Sequence, residues 1–312
     1  SMVRGLYLLA LASGLGGWAT SLNALLVLRA IEGLGFLLVA LPAPALIRRL
    51  VSFEQLPGML GVWGAYMPTG TALALLLGPL FILIWGWGAW WWLFAAASLA
   101  MALWLQRAVP ADPPAMVASQ ANGAWARLRL TLRAPGPWLV ALTFGVYSGQ
   151  WLAVVGFLPS IYAAAGAGGA LLGVLTALAA AVNMAGNMAS GRMMQRGWAP
   201  RDILWLGFGA MAVGSTLAFA PFTEGQPWLR FAGVLVFSGV GGLVPGTLFS
   251  LAVRLAPGEQ QVATTVGWMQ QLSALGQFAG PPAVAAVAAR VGGWQFTPLV
   301  TVGCCVCGMV LA

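Results

Sequence analysis

Residues 22–47 read LNALLVLRAIEGLGFLLVALPAPALI. A helix crosses the hydrocarbon core of a bilayer in about 20 residues at roughly 1.5 Å each. This run is longer than that and carries two charges, Arg29 and Glu32. A helix on the surface of a soluble protein has an apolar stripe and a polar face, whereas here apolar residues surround the axis, as lipid requires. The two charges stand three residues apart and so are neighbours on one helix face.

The flanking chain has the same character. Its 312 residues are 61% hydrophobic and 6% charged, with a mean hydropathy of +0.90. Too few polar side chains remain to cover a water-exposed globule, which excludes a soluble enzyme. Ten apolar segments separate, at about 3–20, 22–47, 58–84, 88–106, 138–163, 168–190, 203–222, 230–254, 261–289 and 294–312. In hydrocarbon each backbone polar group must be satisfied within its own segment, so each segment is expected to be a helix, and single long runs oppose the short alternating strands of a barrel. The expected fold is all-α, a polytopic membrane helical bundle in contact with the lipid bilayer.

All 14 cations are Arg, against six acids and no His. A nucleic-acid binder gathers its cations in a run or on one face. These are scattered between apolar segments, so no nucleic-acid partner is expected. Alternate loops put Arg48, Arg49, Arg107, Arg127, Arg129, Arg133, Arg192, Arg196, Arg201 and Arg254 on one side and only Arg230 and Arg290 on the other. That bias marks the first side as cytoplasmic and the chain as a multi-pass protein of the inner (plasma) membrane. Cys304, Cys305 and Cys307 share one apolar run and lack the separated pairs of a metal or disulfide framework. No metal or cofactor is expected. Trp85, Trp87, Trp90, Trp91 and Trp92 fall at a predicted outer boundary and suit an aromatic belt.

An internal repeat sets the architecture. An offset of 206 places Gly33, Gly35 and Arg48 on Gly239, Gly241 and Arg254, and Gly61 and Gly70 on Gly267 and Gly276. Glu54-Gln55 meets Glu259-Gln260, and Gly86-Trp87 meets Gly293-Trp294, each within one residue of that offset. The expected division is an N-terminal half over 1–106, a cytoplasmic linker over 107–137 with Pro110, Asp112, Pro113 and Pro114, and a C-terminal half over 138–312. The first half then lacks partners for the segments at 138–163 and 168–190. Ten helices of a twelve-helix fold in two pseudo-symmetric halves are expected.

Two such halves joined by a basic linker resemble the major facilitator superfamily. Arg29, Gly33 and Gly35 are similar to its fourth-helix signature. Gly276, Gly280 and Pro281, and more loosely Pro68 and Gly70, resemble the Gly-Pro signatures of the fifth and eleventh helices. Gly191 to Gly197, with Arg196, resembles the loop signature after the eighth helix, but Gln195 stands where Asp is usual. Residues 61–68, with Trp63, Tyr66 and Pro68, look like permeases of the cyanate and nitroimidazole type. The resemblance implies a permease that works by alternating access, with parallel repeats about an axis normal to the membrane.

Arg29 and Glu32 form the intramembrane charge pair. Charges at that depth cost several kcal/mol and face a cavity or a partner. The pair is either a structural ion pair or an anion site with Glu32 as the group exchanging a coupling proton. Tyr147, Gln150 and Trp151 share one helix face, as do Asn183 and Asn187, and Gln271 studs the ninth segment. These residues, with Tyr66, suit a small polar or anionic solute, or hydrogen bonds between helices. The leading expectation is a monomeric secondary transporter of a small, anionic solute. A non-transporting fragment of such a permease is a second reading. A membrane-embedded enzyme is disfavoured because His is absent and neither Asp112 nor Asp202 lies mid-span. Cysteines introduced beside Arg127 and Arg196 are expected to react only with a reagent on the cytoplasmic side, and reaction from outside would reverse the assigned sidedness.

Overall fold

The computed structural model describes residues 1–109, 123–164 and 169–312. Pro110, Asp112, Pro113 and Pro114 of the expected linker lie outside the described residues. Among those described, regular structure is helical: α1 (Met2–Gly16), α2 (Leu22–Ala40), α3 (Ala43–Leu50), α4 (Leu56–Gly64), α5 (Tyr66–Ala108), α6 (Ala124–Arg133), α7 (Pro135–Ala164), α8 (Gly169–Gln195), α9 (Pro200–Phe219), α10 (Pro227–Gly239), α11 (Leu243–Arg254), α12 (Val262–Val291) and α13 (Thr297–Leu311). Local chemistry sets several boundaries. Ser21 caps α2 by accepting from the Ala24 amide. Proline opens α4, α9, α10 and α13 within their first two positions, where its missing N–H costs nothing. Within the bundle Thr69, Thr143, Thr176, Thr216 and Thr247 each donate to the carbonyl four residues back, which satisfies a hydroxyl that has no water to meet.

Eight helical stretches are long and apolar enough to cross a membrane, and Met2–Gly16 is a shorter apolar helix. The apolar segments of the sequence overlap these stretches, nine among the described residues where ten separate crossings are expected. Two of them share the 53-residue stretch Leu56–Ala108, which is interrupted at Gly86 (φ 81°, ψ 170°). A Cβ strongly disfavours that backbone conformation, so the residue that punctuates the sequence also breaks the helix. Another glycine at positive φ, Gly292 (φ 74°), ends α12 before α13.

The deepest packing is in the C-terminal half. The windows of Pro135–Ala163 and Pro227–Arg254 are 67% and 72% buried, against 6% for Leu56–Ala108. α7 and the α10–α11 pair therefore form the inner core, around Phe144, Phe208, Met211, Phe237, Phe249 and Met269. α12 runs along α7, and α8 lies between α4–α5 on one side and α10–α11 on the other. The α7–α12 contact is backbone against backbone: Gly145 and Gly149 oppose Gly276 and Gly280, and a Cβ on any of the four would strike a main-chain carbonyl. Small residues four apart on both helices give the close approach on which association in lipid depends. Gly149→Leu is expected to force the two helices apart, at about 1–3 kcal/mol for overpacking, and to lower the thermal unfolding midpoint in detergent. An unchanged midpoint would show that this contact does not hold α12.

Candidate functional site

A cavity of about 680 Å³ opens between α1, α2 and the last part of α5, lined by Ser13, Arg29, Glu32, Gly33, Phe36 and the rings of Trp87, Trp90, Trp91 and Phe94 among others. Its charged wall comes from one helix face. Arg29 Nη2 lies 3.1 Å from Glu32 Oε2, with the Arg29 side chain 59% exposed and that of Glu32 11% exposed. The other carboxylate oxygen, Oε1, accepts from the Ser13 hydroxyl. The Arg29 guanidinium rests 3.9 Å above the Trp91 ring centroid. Glu32 is thus doubly held and buried, while the guanidinium is stacked and only partly used. A planar fork with free donors facing a cavity is the chemistry that grips a carboxylate or another flat oxyanion.

Neighbouring helices hold these groups in place. Gly35 lets α1 and α2 touch, since a Cβ there would meet Leu9 and the Gly5 carbonyl. Gly33 meets nothing within 4 Å and lies open on the cavity side. Of the five tryptophans expected to form a belt, Trp91 packs over Gly16, and Trp92 packs over Gly17 and donates from Nε1 to the Gly14 carbonyl at 3.2 Å. Together they close the end of α1, while Trp87, Trp90 and Trp91 become cavity wall. The sequence signal for this role was present in the four-residue spacing of Trp87 and Trp91 and in the paired glycines that end α1.

A second polar group is built inside the C-terminal half. Asn183 donates to the Tyr147 hydroxyl at 2.9 Å and to the Ser238 carbonyl at 2.7 Å. Trp151 Nε1 donates to the Ser238 hydroxyl at 3.1 Å. Asn187 donates back to Asn183, to O and Oδ1 at 3.0 Å each, and its own Oδ1 has no partner. Gln150 accepts from Cys305 at 3.3 Å, and its Nε2 is buried without a partner. Tyr147, Gln150, Trp151, Asn183 and Asn187 are all buried; in this conformation the first four bond between helices, and Asn187 bonds only within α8.

Aromatic rings link the two places. Phe36 of the cavity meets Tyr66 at 6.1 Å, Tyr66 meets Trp63 at 5.2 Å, and Trp63 meets Phe249 edge-on at 4.6 Å. Phe249 meets Phe144 at 5.4 Å, and Phe144 stacks on Tyr147 at 6.1 Å. Tyr66 also accepts from Gln270 across the halves at 3.1 Å. At the end of the bundle that carries Arg48 and Arg254, α3 and α4 close on α11 and α12 along a seam. Arg48 and Glu259 pair at 2.8 Å, and Arg254 lies 6.0 Å from the Phe53 ring centroid. Gln195 donates to the Glu54 carbonyl at 3.1 Å, so at the position where the loop signature usually has Asp a neutral contact crosses the seam. Gly191 and Gly61 bring α8 and α4 into backbone contact. Leu56, Leu60, Val253 and Val262 seal the same end.

The remaining expected residues stand apart. Gln271 and Arg196 are exposed, Gly70 faces open space, Pro68 is buried, and Pro281 is half-buried within α12. Among the described residues no cluster of side chains suits a metal ion.

An all-helical, multi-pass bundle with an intramembrane ion pair at a cavity and a sealed seam on one side defines the class, a membrane transporter. The chain belongs to the Major Facilitator Superfamily, whose family model matches residues 1–281. No curated protein sequence matches it. Among solved structures it is similar to a point variant of the E. coli fucose:proton symporter FucP, with TM-score 0.77 and 14% identity over 99% of this chain and 82% of that one. FucP in the outward conformation gives TM-score 0.77 and 15% identity over 99% and 81%. The human organic anion transporter MFSD10 (TETRAN) gives 0.74 and 18% over 99% and 76%. At these identities the likeness establishes the fold alone.

The two buried amides carry different loads. Asn183→Ala is expected to destabilise the protein by about 1 kcal/mol, since each such bond is worth about 0.6 kcal/mol in a membrane bundle. Gln150→Leu is expected to be neutral or stabilising, because it removes an unpaired buried donor. Thermal unfolding in detergent measures both, and the reverse order would overturn this account of the core.

Proposed function

We propose that this protein is a secondary active transporter that moves a small organic anion across the inner membrane by alternating access. The observation that carries the reading is the half-exposed Arg29 guanidinium, stacked on Trp91 and facing the aromatic cavity. In the proposed cycle the anion takes up the free donors of Arg29 and competes with Glu32. A proton on Glu32 then relieves the competition, and this couples solute to proton. Cyanate has no apolar body to set against the tryptophan walls, which favours an organic carboxylate over the ions of the cyanate permease type. The chain works as a monomer with ten crossings, four over residues 1–106 and six over 138–312, which occupy ten positions of a twelve-helix repeat. Recurrence of the helix break at Gly86 and Gly292, and of cross-seam contacts from the repeat-related Arg48 and Arg254, supports that division. The Arg-rich linker side is the closed, cytoplasmic side. Tyr66, Tyr147, Gln150, Trp151, Asn183, Asn187 and Gln271 contribute to the solute path when the seam opens. Gly276, Gly280 and Pro281 give the packing on which the halves rock.

Uptake of benzoate and its ring-substituted relatives into proteoliposomes with an imposed proton gradient tests the reading. Arg29→Ala is expected to abolish uptake. Glu32→Gln is expected to keep solute exchange while losing accumulation driven by the gradient. Undiminished uptake in Arg29→Ala would remove the anion site.

A further inference from the structure

α6 (Ala124–Arg133) takes no part in the cavity or in the seam described above. Its sequence, AWARLRLTLR, alternates cations with apolar residues. Thr131 is buried against the bundle, and the opposite face presents Trp125, Arg129, Leu130 and Arg133. Trp125 is 78% exposed and Leu130 51%, a waste of apolar surface in water but a fit to the headgroup zone of a bilayer, where tryptophan is favoured and arginine reaches outward. A cleft of about 330 Å³ lies on this helix, lined by Trp125, Leu128, Arg129, Leu132 and Arg133. Among the described residues neither Arg129 nor Arg133 has a carboxylate partner. The helix is tied to the bundle: Trp138 Nε1 donates to the Leu132 carbonyl at 2.8 Å, and Trp138 packs edge-on against Trp268. α6 also rests on the 3-10 turn Glu259–Gln261, which supplies the acid of the Arg48–Glu259 bridge.

We infer that α6 is an interfacial helix and that its Trp125–Arg129–Arg133 face holds the headgroup of an anionic phospholipid. Two adjacent cations on one turn-to-turn stripe complement a phosphodiester, while the ring and the leucines meet the upper acyl chain. A zwitterionic lipid offers the same phosphate beside a cation that the two arginines repel, which selects the anionic class. The site needs only an anionic leaflet at α6, so it does not depend on the solute or on which side of the membrane is inner.

The test titrates phosphatidylglycerol into phosphatidylcholine nanodiscs holding the whole chain and measures lipid retained on the protein by native mass spectrometry. The wild-type chain is expected to retain phosphatidylglycerol in preference to phosphatidylcholine. Arg129→Gln with Arg133→Gln is expected to weaken that retention about thirty-fold, which corresponds to two cations at about 1 kcal/mol each. Arg290→Gln, an exposed cation at the end of α12, is expected to leave it unchanged. Equal retention in the double variant would overturn the site. So would an equal loss in Arg290→Gln, which would mean general charge attraction, or displacement of the lipid by millimolar inorganic phosphate, which would mean a free-anion site.

Discussion

Within hydrocarbon a polar group has no water to return to, and each one left unpaired costs several kcal/mol. The placement of nearly every polar side chain in this bundle follows from that constraint. Threonines bond back to their own helix. Asn183 serves three partners on three segments. Glu32 takes one bond from Ser13 and one from Arg29. Arg29 departs from the rule, since its fork is stacked and paired but still open to a cavity. Several buried neutral atoms, Gln150 Nε2 and Asn187 Oδ1 among them, also lack partners, but Arg29 is a full charge left open to a cavity, and on the proposed function that is where the solute is gripped.

The fold was legible because the constraint acts segment by segment. Long apolar runs, glycine punctuation at Gly86-Trp87 and Gly293-Trp294, and the bias of arginine between loops are all local signals. The close contacts were half legible. Gly276 and Gly280 were visible as a motif, but their partners Gly145 and Gly149 are distant in sequence and are recognised only once α7 and α12 lie side by side. Gly33 and Gly35 looked alike on the page, yet one packs against α1 and the other opens onto the cavity. Residues two positions apart on a helix differ by about 200° in direction, and only the neighbouring helices decide which of those directions is crowded.

The candidate site was legible in its charges and not in its walls. Arg29 and Glu32 announced themselves as ionisable groups where none should be. The tryptophans at 87, 90 and 91 did not, because a ring at a membrane boundary is ordinary and its facing depends on how α5 resumes after Gly86. The amides at Gln150, Asn183 and Asn187 were ambiguous for the opposite reason, as the same side chain suits a solute or a neighbouring helix. In this conformation Asn183 is taken by Tyr147 and Ser238 on other helices, whereas Gln150 Nε2 and Asn187 Oδ1 are buried without partners.

The seam on the Arg-rich side shows how such a structure could move. The Arg48–Glu259 ion pair has its acid largely exposed, and a pair of that kind is worth about 0–1 kcal/mol. Arg254 lies over the Phe53 ring, and Gln195 makes a neutral bond to a carbonyl. The Arg48–Glu259 pair by itself therefore adds little to closure. What holds the seam is apolar contact among Leu56, Leu60, Val253 and Val262 and the backbone approach of Gly61 to Gly191. Such contacts reward close fit and vanish over an ångström or two. A latch built from them is either shut or open, and on the proposed cycle opening it exposes these leucines and valines to water, so apolar burial favours the shut state. On that cycle the preference is what a solute at Arg29 must overcome. The aromatic column from Phe36 through Tyr66 and Trp63 to Phe249 and Phe144 runs from that site into the Tyr147–Asn183 core.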